Sequence, residues 1–88
     1  MDELGDFGKF LKRLQAHAIR KADMYDGVNR SCTIDRAIKL VGEEFGEINS
    51  ALIRDRVLLA EEECLDVAHA VFLLWRAIRI EHNGPYSD

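Results

Sequence analysis

The sequence contains few residues that would interrupt a helix, and this scarcity constrains its fold more than any other feature. The only proline is Pro85, close to the C-terminal end. Proline removes a backbone donor and clashes with the preceding turn, so its absence upstream allows long helices to form. Apolar side chains recur every three or four residues over most of the chain, which is the period of an amphipathic helix. We therefore predict an all-α protein.

Three helices are predicted, over about residues 6–25, 34–54 and 60–82, followed by a short C-terminal tail. Aspartate, glycine and asparagine at 26–31 favour a loop after the first helix. Thr33 is a candidate N-cap of the second helix, and the glutamates at 61–63 are expected in the first turn of the third. The Asn-Gly-Pro sequence at 83–85 ends the third helix. The main apolar stripe of the second helix consists of Ile34, Ile38, Val41, Phe45, Ile48 and Leu52.

The length of 88 residues predicts a single domain over residues 1–88. A domain this small buries only about 60–65% of the surface that its unfolded chain exposes. Between Cys64 and Ile80 the third helix is apolar on nearly every side, so it must be buried by more than one neighbour. We therefore expect a second subunit to complete the helical bundle, in a homodimer or a dimer of dimers.

Charge and cysteine content exclude several classes of protein. The formal net charge is −4 and there is no long basic stretch, which argues against binding to a nucleic acid polymer. Cys32 and Cys64 have neither zinc-site spacing nor the spacing of a redox pair, as expected of free thiols in the cytosol. The acidic start is unlike a secretory signal, and the apolar runs are too short for a membrane span. We expect a soluble, cytoplasmic protein with no membrane partner.

Two pairs of carboxylates are spaced so that each pair shares one face of a helix. Glu44 and Glu47 are three residues apart on the second helix, and Glu63 and Asp66 are three apart on the third. If these helices are antiparallel, both pairs lie at a similar depth, about 10 Å from the connection at 1.5 Å per residue. The four carboxylates are then expected to converge in one layer.

Converging carboxylates need a cation, because each pair at about 5 Å repels by roughly 3 kcal/mol at an effective dielectric of 20. Hard oxygen ligands without cysteine select Mg²⁺ or Mn²⁺. Either pair alone would resemble an ordinary solvated acidic face, but two pairs at matched depth favour a metal site. The Asp66-x-x-His69 spacing also suggests half of a di-iron site, although the second helix has no histidine to complete one.

These acidic segments resemble the two motifs of the MazG-like all-α nucleoside triphosphate pyrophosphohydrolases. The segment 40–48, Leu-Val-Gly-Glu-Glu-Phe-Gly-Glu-Ile, is similar to the first motif, and 63–67, Glu-Cys-Leu-Asp-Val, to the second. The resemblance covers about residues 20–80. It implies a MazG-like bundle, a dimer or dimer of dimers, and Mg²⁺-dependent hydrolysis of a nucleoside or deoxynucleoside triphosphate to monophosphate and pyrophosphate. The metal-binding and catalytic residues implied are Glu44, Glu47, Glu63 and Asp66.

The expected chemistry is attack of metal-activated water on a phosphorus atom, with one carboxylate of the four as an unassigned general base. Glu43 is a further candidate for the base, although it lies nearly opposite the main apolar stripe and is expected to face solvent. Candidate substrate-binding residues are Lys21, Arg76, Asn83 and His17. The alternative function is a non-catalytic helical dimer that acts as a regulatory or scaffold module, which the scarcity of basic residues near the acidic motifs favours.

Overall fold

The computed structural model describes residues 2–30 and 32–83, and the side chains within 2–21 and 32–82. It contains three α-helices, α1 (Glu3–Arg30), α2 (Ile34–Ile53) and α3 (Val57–Asn83), and no strand within the described residues. The prediction of an all-α fold is confirmed. None of the described helices has both the length and the apolar character that crossing a membrane requires.

Helix α1 is longer at both ends than the sequence predicts. At its start, the Asp2 carboxylate accepts a hydrogen bond from the Leu4 amide at 3.1 Å, so the helix begins at Glu3. At its end, the helix continues through Arg30, and the predicted loop is wrong for residues 26–30, while Ser31 lies outside the described residues. Turn preferences such as that of glycine cost a helix only about 1 kcal/mol, and no proline is present to stop the backbone hydrogen bonds.

Local capping sets the ends of α2 and the start of α3. Thr33 is the N-cap of α2, and its hydroxyl accepts a hydrogen bond from the Arg36 amide at 3.2 Å. After Ile53 the chain reverses at Asp55, whose φ of 58° is left-handed, and the Arg56 amide donates to the Ala51 carbonyl at 2.9 Å. This closure resembles a Schellman motif.

The tight reversal allows α3 to begin at Val57 instead of near residue 60. The glutamates at 61–63 were expected in the first turn of this helix, but they lie beyond it. The first turn contains no acidic residue. The three-residue connection and the extensive contact between α2 and α3 make the two helices an antiparallel hairpin, and α1 packs against α3.

The core of the hairpin is built mainly from alanine. Ala37 and Ala51 of α2 are buried, and on α3 the buried apolar residues are Ala60, Leu65, Ala70, Leu73 and Ala77. The main apolar stripe of α2 lies mostly outside this core. Phe45 is 65% exposed and Ile38 and Leu52 are each 55% exposed, while Ile34, Val41 and Ile48 are partly buried. Small side chains let two helix backbones approach closely, so α2 packs on α3 through a flank about 90° around the helix from its main stripe.

Candidate metal centre

Three of the four motif carboxylates converge between α2 and α3. Glu44, Glu63 and Asp66 each offer one carboxylate oxygen, and these oxygens all lie within 4.8 Å of one another. Glu63 and Asp66 share a face of α3 because they are three residues apart. Glu44 joins them because it lies on the alanine-containing flank of α2 that packs against α3. All three side chains are partly buried.

Glu47 lies beside this cluster without contributing an oxygen to it. Its side chain is exposed and hydrogen-bonds with that of Glu63. Glu47 and Glu63 also line a second, smaller cavity of about 180 Å³, together with Arg54 and Arg56 at the α2–α3 connection. The expected layer of four is thus a group of three with Glu47 at its edge, one helical turn closer to the connection than Glu44.

The crowding of carboxyl groups makes Glu63 hard to ionise. Burial is the largest cause that raises its pKa from 4.5 to about 8, followed by the hydrogen bond with Glu47 and the charges of Glu47, Asp66 and Glu44. One oxygen of Glu63, Oε2, is buried without a hydrogen-bond partner. Burial also raises the pKa of Glu44, with the neighbouring charges of Glu47 and Asp66 acting in the same direction. A bound divalent cation would favour the ionised carboxylates and give the orphaned oxygen a partner.

Asp66, in contrast, meets two basic residues of α1. His17 Nε2 lies 2.6 Å from Asp66 Oδ1, and Lys21 Nζ lies 3.7 Å from the same oxygen. His17 is only 4% exposed, and its other ring nitrogen, Nδ1, is buried without a partner. His17 and Lys21 are four residues apart, so they share one face of α1. Both were candidate substrate contacts in the sequence, and both adjoin the carboxylate cluster.

A groove of about 470 Å³ opens beside the cluster. It is lined by Lys21, Cys32, Arg36, Lys39, Leu40, Glu43, Glu44, Asp66, His69, Ala70 and Leu73. Sequence reasoning missed Arg36 and Lys39, which precede Glu44 on α2 by eight and five residues. They are three residues apart, so they share a face of α2 with each other.

Glu43 is exposed, as expected from the sequence, and it also lines this groove. It lies nearly opposite the main apolar stripe of α2, as its position in the sequence indicates. Since α2 packs through a flank about 90° from that stripe, Glu43 lies at the edge of the contact face instead of opposite it.

Arg76, Asn83 and His69 remain to be placed relative to this groove. The Arg76 guanidinium is 5.3 Å from the centre of the Phe72 ring, and Arg76 does not line the groove. The side chain of Asn83 lies outside the described side chains. His69 does line the groove, with its ring centre 6.3 Å from that of Phe72 and 6.4 Å from that of His17. Burial lowers the pKa of His69, and the neighbouring His17 acts in the same direction.

Histidine does not complete a di-iron site among the described residues, because the group of converging ligand atoms contains carboxylates alone. Oxygen ligands of this kind suit Mg²⁺ or Mn²⁺. Comparisons with protein-family models, with curated proteins and with solved structures return no match to this chain. A proposal about function therefore depends on the geometry of this centre and on the motifs that form it.

Proposed function

We propose that this chain is a MazG-like, Mg²⁺-dependent nucleoside triphosphate pyrophosphohydrolase of the cytoplasm, with Mn²⁺ as a substitute ion. The reaction converts a nucleoside or deoxynucleoside triphosphate and water to the monophosphate and pyrophosphate, in a house-cleaning or nucleotide-pool role. The observation that carries the proposal is the convergence of Glu44, Glu63 and Asp66 oxygens within 4.8 Å, beside a groove lined by cationic side chains. These three carboxylates belong to the two motifs that resemble the family.

The residues present fit a hard divalent cation. The ligand atoms are carboxylate oxygens, and Glu63 Oε2 is buried without a partner, as a metal ligand would be before its ion binds. When bound, Mg²⁺ neutralises phosphate charge and lowers the pKa of a water ligand. Glu44, Glu63 and Asp66 would hold the ion, and the hydrogen bond from His17 would fix the orientation of Asp66.

Within the same proposal, Glu47 is a candidate for the general base or for a further metal ligand. Its carboxylate is exposed and adjoins Glu63, so it can reach water or complete the metal ligands. A carboxylate that is not fully engaged by metal is suited to accept the proton of the attacking water. The general base lies among the four carboxylates, with Glu43 on the groove wall as a further candidate.

We also propose that the active form is a homodimer or a dimer of dimers. Ile38, Phe45 and Leu52 recur every seven residues along α2, and each exposes more than half of its surface in the single chain. Residues at this spacing form one line along a helix, which is the arrangement by which helices pair. A second copy packed on this stripe would remove it from water.

One observation favours the alternative function, a non-catalytic helical dimer that acts as a regulatory or scaffold module. Asp66 is already bound to His17 and Lys21, so this carboxylate has structural partners without any metal. In the alternative, Asp66 fastens α1 to α3, and the acidic cluster has no catalytic role.

Hydrolysis separates the two functions. The purified chain is incubated with Mg²⁺ and a panel of ribo-, deoxy- and modified nucleoside triphosphates, and pyrophosphate and inorganic phosphate are measured separately. We expect pyrophosphate and a monophosphate from at least one nucleotide, and loss of activity in Glu63→Gln. The matched control is Glu62→Gln, since Glu62 is exposed and outside the cluster. Release of inorganic phosphate would refute the cleavage position, and inertness across the panel would favour the scaffold.

A further inference from the structure

Two cationic side chains of α2, Arg36 and Lys39, line the groove but do not pair with the carboxylates of its acidic cluster. Both are exposed, and among the described side chains neither forms an ion pair. Asp66 takes its basic partners from α1 instead, namely His17 and Lys21. Arg36 and Lys39 are therefore not explained by the packing of α2 against α3.

The charges along the α2 wall of the groove are separated by sign. Arg36 and Lys39 lie toward the start of α2, and Glu43 and Glu44 follow them. At 1.5 Å per residue, Lys39 and Arg36 precede Glu44 by about 7.5 Å and about 12 Å along the helix axis. Apolar side chains of Leu40, of Ala70 and of Leu73 also line the groove. Along its α2 wall, a ligand in this groove therefore meets cations near the start of the helix and carboxylates further along it.

We propose that Arg36 and Lys39 form the anion-binding wall of the groove and hold the phosphate chain of a metal-bound polyphosphate. This inference rests on the proposed function for the identity of the substrate, and it assigns the phosphate contacts to α2. A chain of two or more phosphates can reach a cation held by the carboxylates and still extend to Lys39 and Arg36, which a single small anion cannot do. The Arg36 guanidinium can bind phosphate oxygens in a bidentate manner, and Lys39 supplies a compact charge.

The position of α2 adds to this preference for anions. The helix starts at Ile34, and Cys32, just before its N-cap Thr33, lines the same groove. The N-terminal end of a helix carries a partial positive charge and free amides, which favour an anion nearby. The cationic end of the groove thus coincides with the positive end of the helix dipole.

Inorganic pyrophosphate is the probe that tests the wall, because the proposed reaction releases it and does not consume it. Calorimetric titration of the full-length chain with pyrophosphate at saturating Mg²⁺ is compared among wild type, Arg36→Gln, Lys39→Gln and the double variant. Each single change should weaken binding about tenfold or more, because hydrogen bonds to charged groups are strong. Arg36→Lys, which keeps the charge, should recover part of the loss.

Two changes elsewhere control for the loss of one positive charge. Arg13→Gln and Lys12→Gln alter exposed cations of α1 that do not line the groove, and they should leave affinity within about twofold of wild type. Thermal melts of every variant check that the fold is retained. Higher salt should weaken binding to the wild type more than to the double variant, since fewer charge contacts remain in the variant.

The results separate this inference from the proposed function. Pyrophosphate binding that depends on Arg36 and Lys39 supports the anion-binding wall even if no nucleotide is hydrolysed. Equal affinity in the Gln variants and the controls would overturn it even if hydrolysis is observed. Absence of pyrophosphate binding to the wild type with Mg²⁺ would overturn it as well.

Discussion

Glu63 and Asp66 are one helical turn apart on α3, yet Asp66 lies beside positively charged groups and Glu63 lies beside negatively charged ones. Asp66 contacts His17 and Lys21 of α1, whereas Glu63 contacts carboxyl groups of α2. The pKa of Glu63 is raised to about 8, mainly by burial. A proton on Glu63 therefore relieves repulsion within the cluster, while loss of the Asp66 charge breaks the contacts that fasten α1.

The raised pKa of Glu63 predicts how stability changes with pH when metal is chelated. The folded state keeps its proton up to about pH 8, while the unfolded state releases it near pH 4.5. Folded protein thus binds more protons between these values, so this group makes stability fall as pH rises from about 4.5 to about 8. Denaturant melts of wild type and Glu63→Gln in a chelator, between pH 5 and pH 8, measure the difference that this carboxyl causes.

His69 contributes the opposite slope below pH 6.5, because its pKa is lowered in the folded state and the unfolded state therefore binds more protons until the pH reaches about 6.5. The His69 contribution is the same in wild type and in Glu63→Gln, so it cancels when the pH dependence of their stability is compared. Added Mg²⁺ should abolish the Glu63 effect by holding the carboxylate ionised. Glu62→Gln should behave as wild type, and an identical pH dependence in wild type and Glu63→Gln would contradict the raised pKa.

At the scale of the elements, helix α2 has two apolar faces. The face with the smaller side chains packs against α3. Ala37 and Ala51 are buried there, while Phe45 of the main stripe is 65% exposed. Alanine on both helices permits a close approach, and it also brings Glu44 close enough to meet Glu63 and Asp66. The spacing of the two helices therefore determines the geometry of the acidic cluster.

A larger side chain at Ala37 should separate α2 from α3. Ala37 is completely buried, so Ala37→Leu has no free space and is expected to cost about 1–3 kcal/mol through overpacking. Mg²⁺ should also raise the melting temperature less than in wild type, since the three carboxylates no longer converge. Ala16→Leu is the control, because Ala16 is exposed on α1. Equal stability and equal response to Mg²⁺ in Ala37→Leu and wild type would refute this packing.

For the whole molecule, the balance of buried and exposed apolar surface is unusual. Among the described side chains, the buried apolar residues are five alanines and two leucines, whereas many large side chains of all three helices remain exposed. Large apolar patches on a soluble chain mark contact surfaces. The single chain therefore leaves uncovered the surface that the proposed dimer would bury.

Light scattering after size exclusion should give about two or four times the 10.0 kDa chain mass at micromolar concentration. Phe45→Glu should shift the protein toward the monomer, because it puts a charge in the middle of the exposed α2 stripe. Leu4→Glu, at a residue that is 79% exposed at the start of α1, is the matched control. A wild-type monomer with a cooperative melt would refute the proposed dimer.

The sequence alone determined the features that depend on residues close together in the chain, namely the helices, the N-cap of α2 and the spacing of the carboxylates. Helices follow from the apolar period and the lack of internal proline, and the Thr33 cap follows from a hydroxyl next to free amides. The spacing of Glu63 and Asp66 ensured that they share a face of α3, whatever packs against it. Even here, weak turn preferences at 26–30 did not stop α1.

Only the tertiary structure decided which faces meet. Two apolar faces of α2 competed for α3, and the choice of the alanine flank left Phe45 exposed and turned Glu43 to the groove. His17 reaches Asp66 across 49 residues of sequence, and no local pattern encodes that contact. The physical reason is that helix formation depends on hydrogen bonds and side chains within a few residues, whereas the rotation of one helix against another depends on how all of their surfaces fit together.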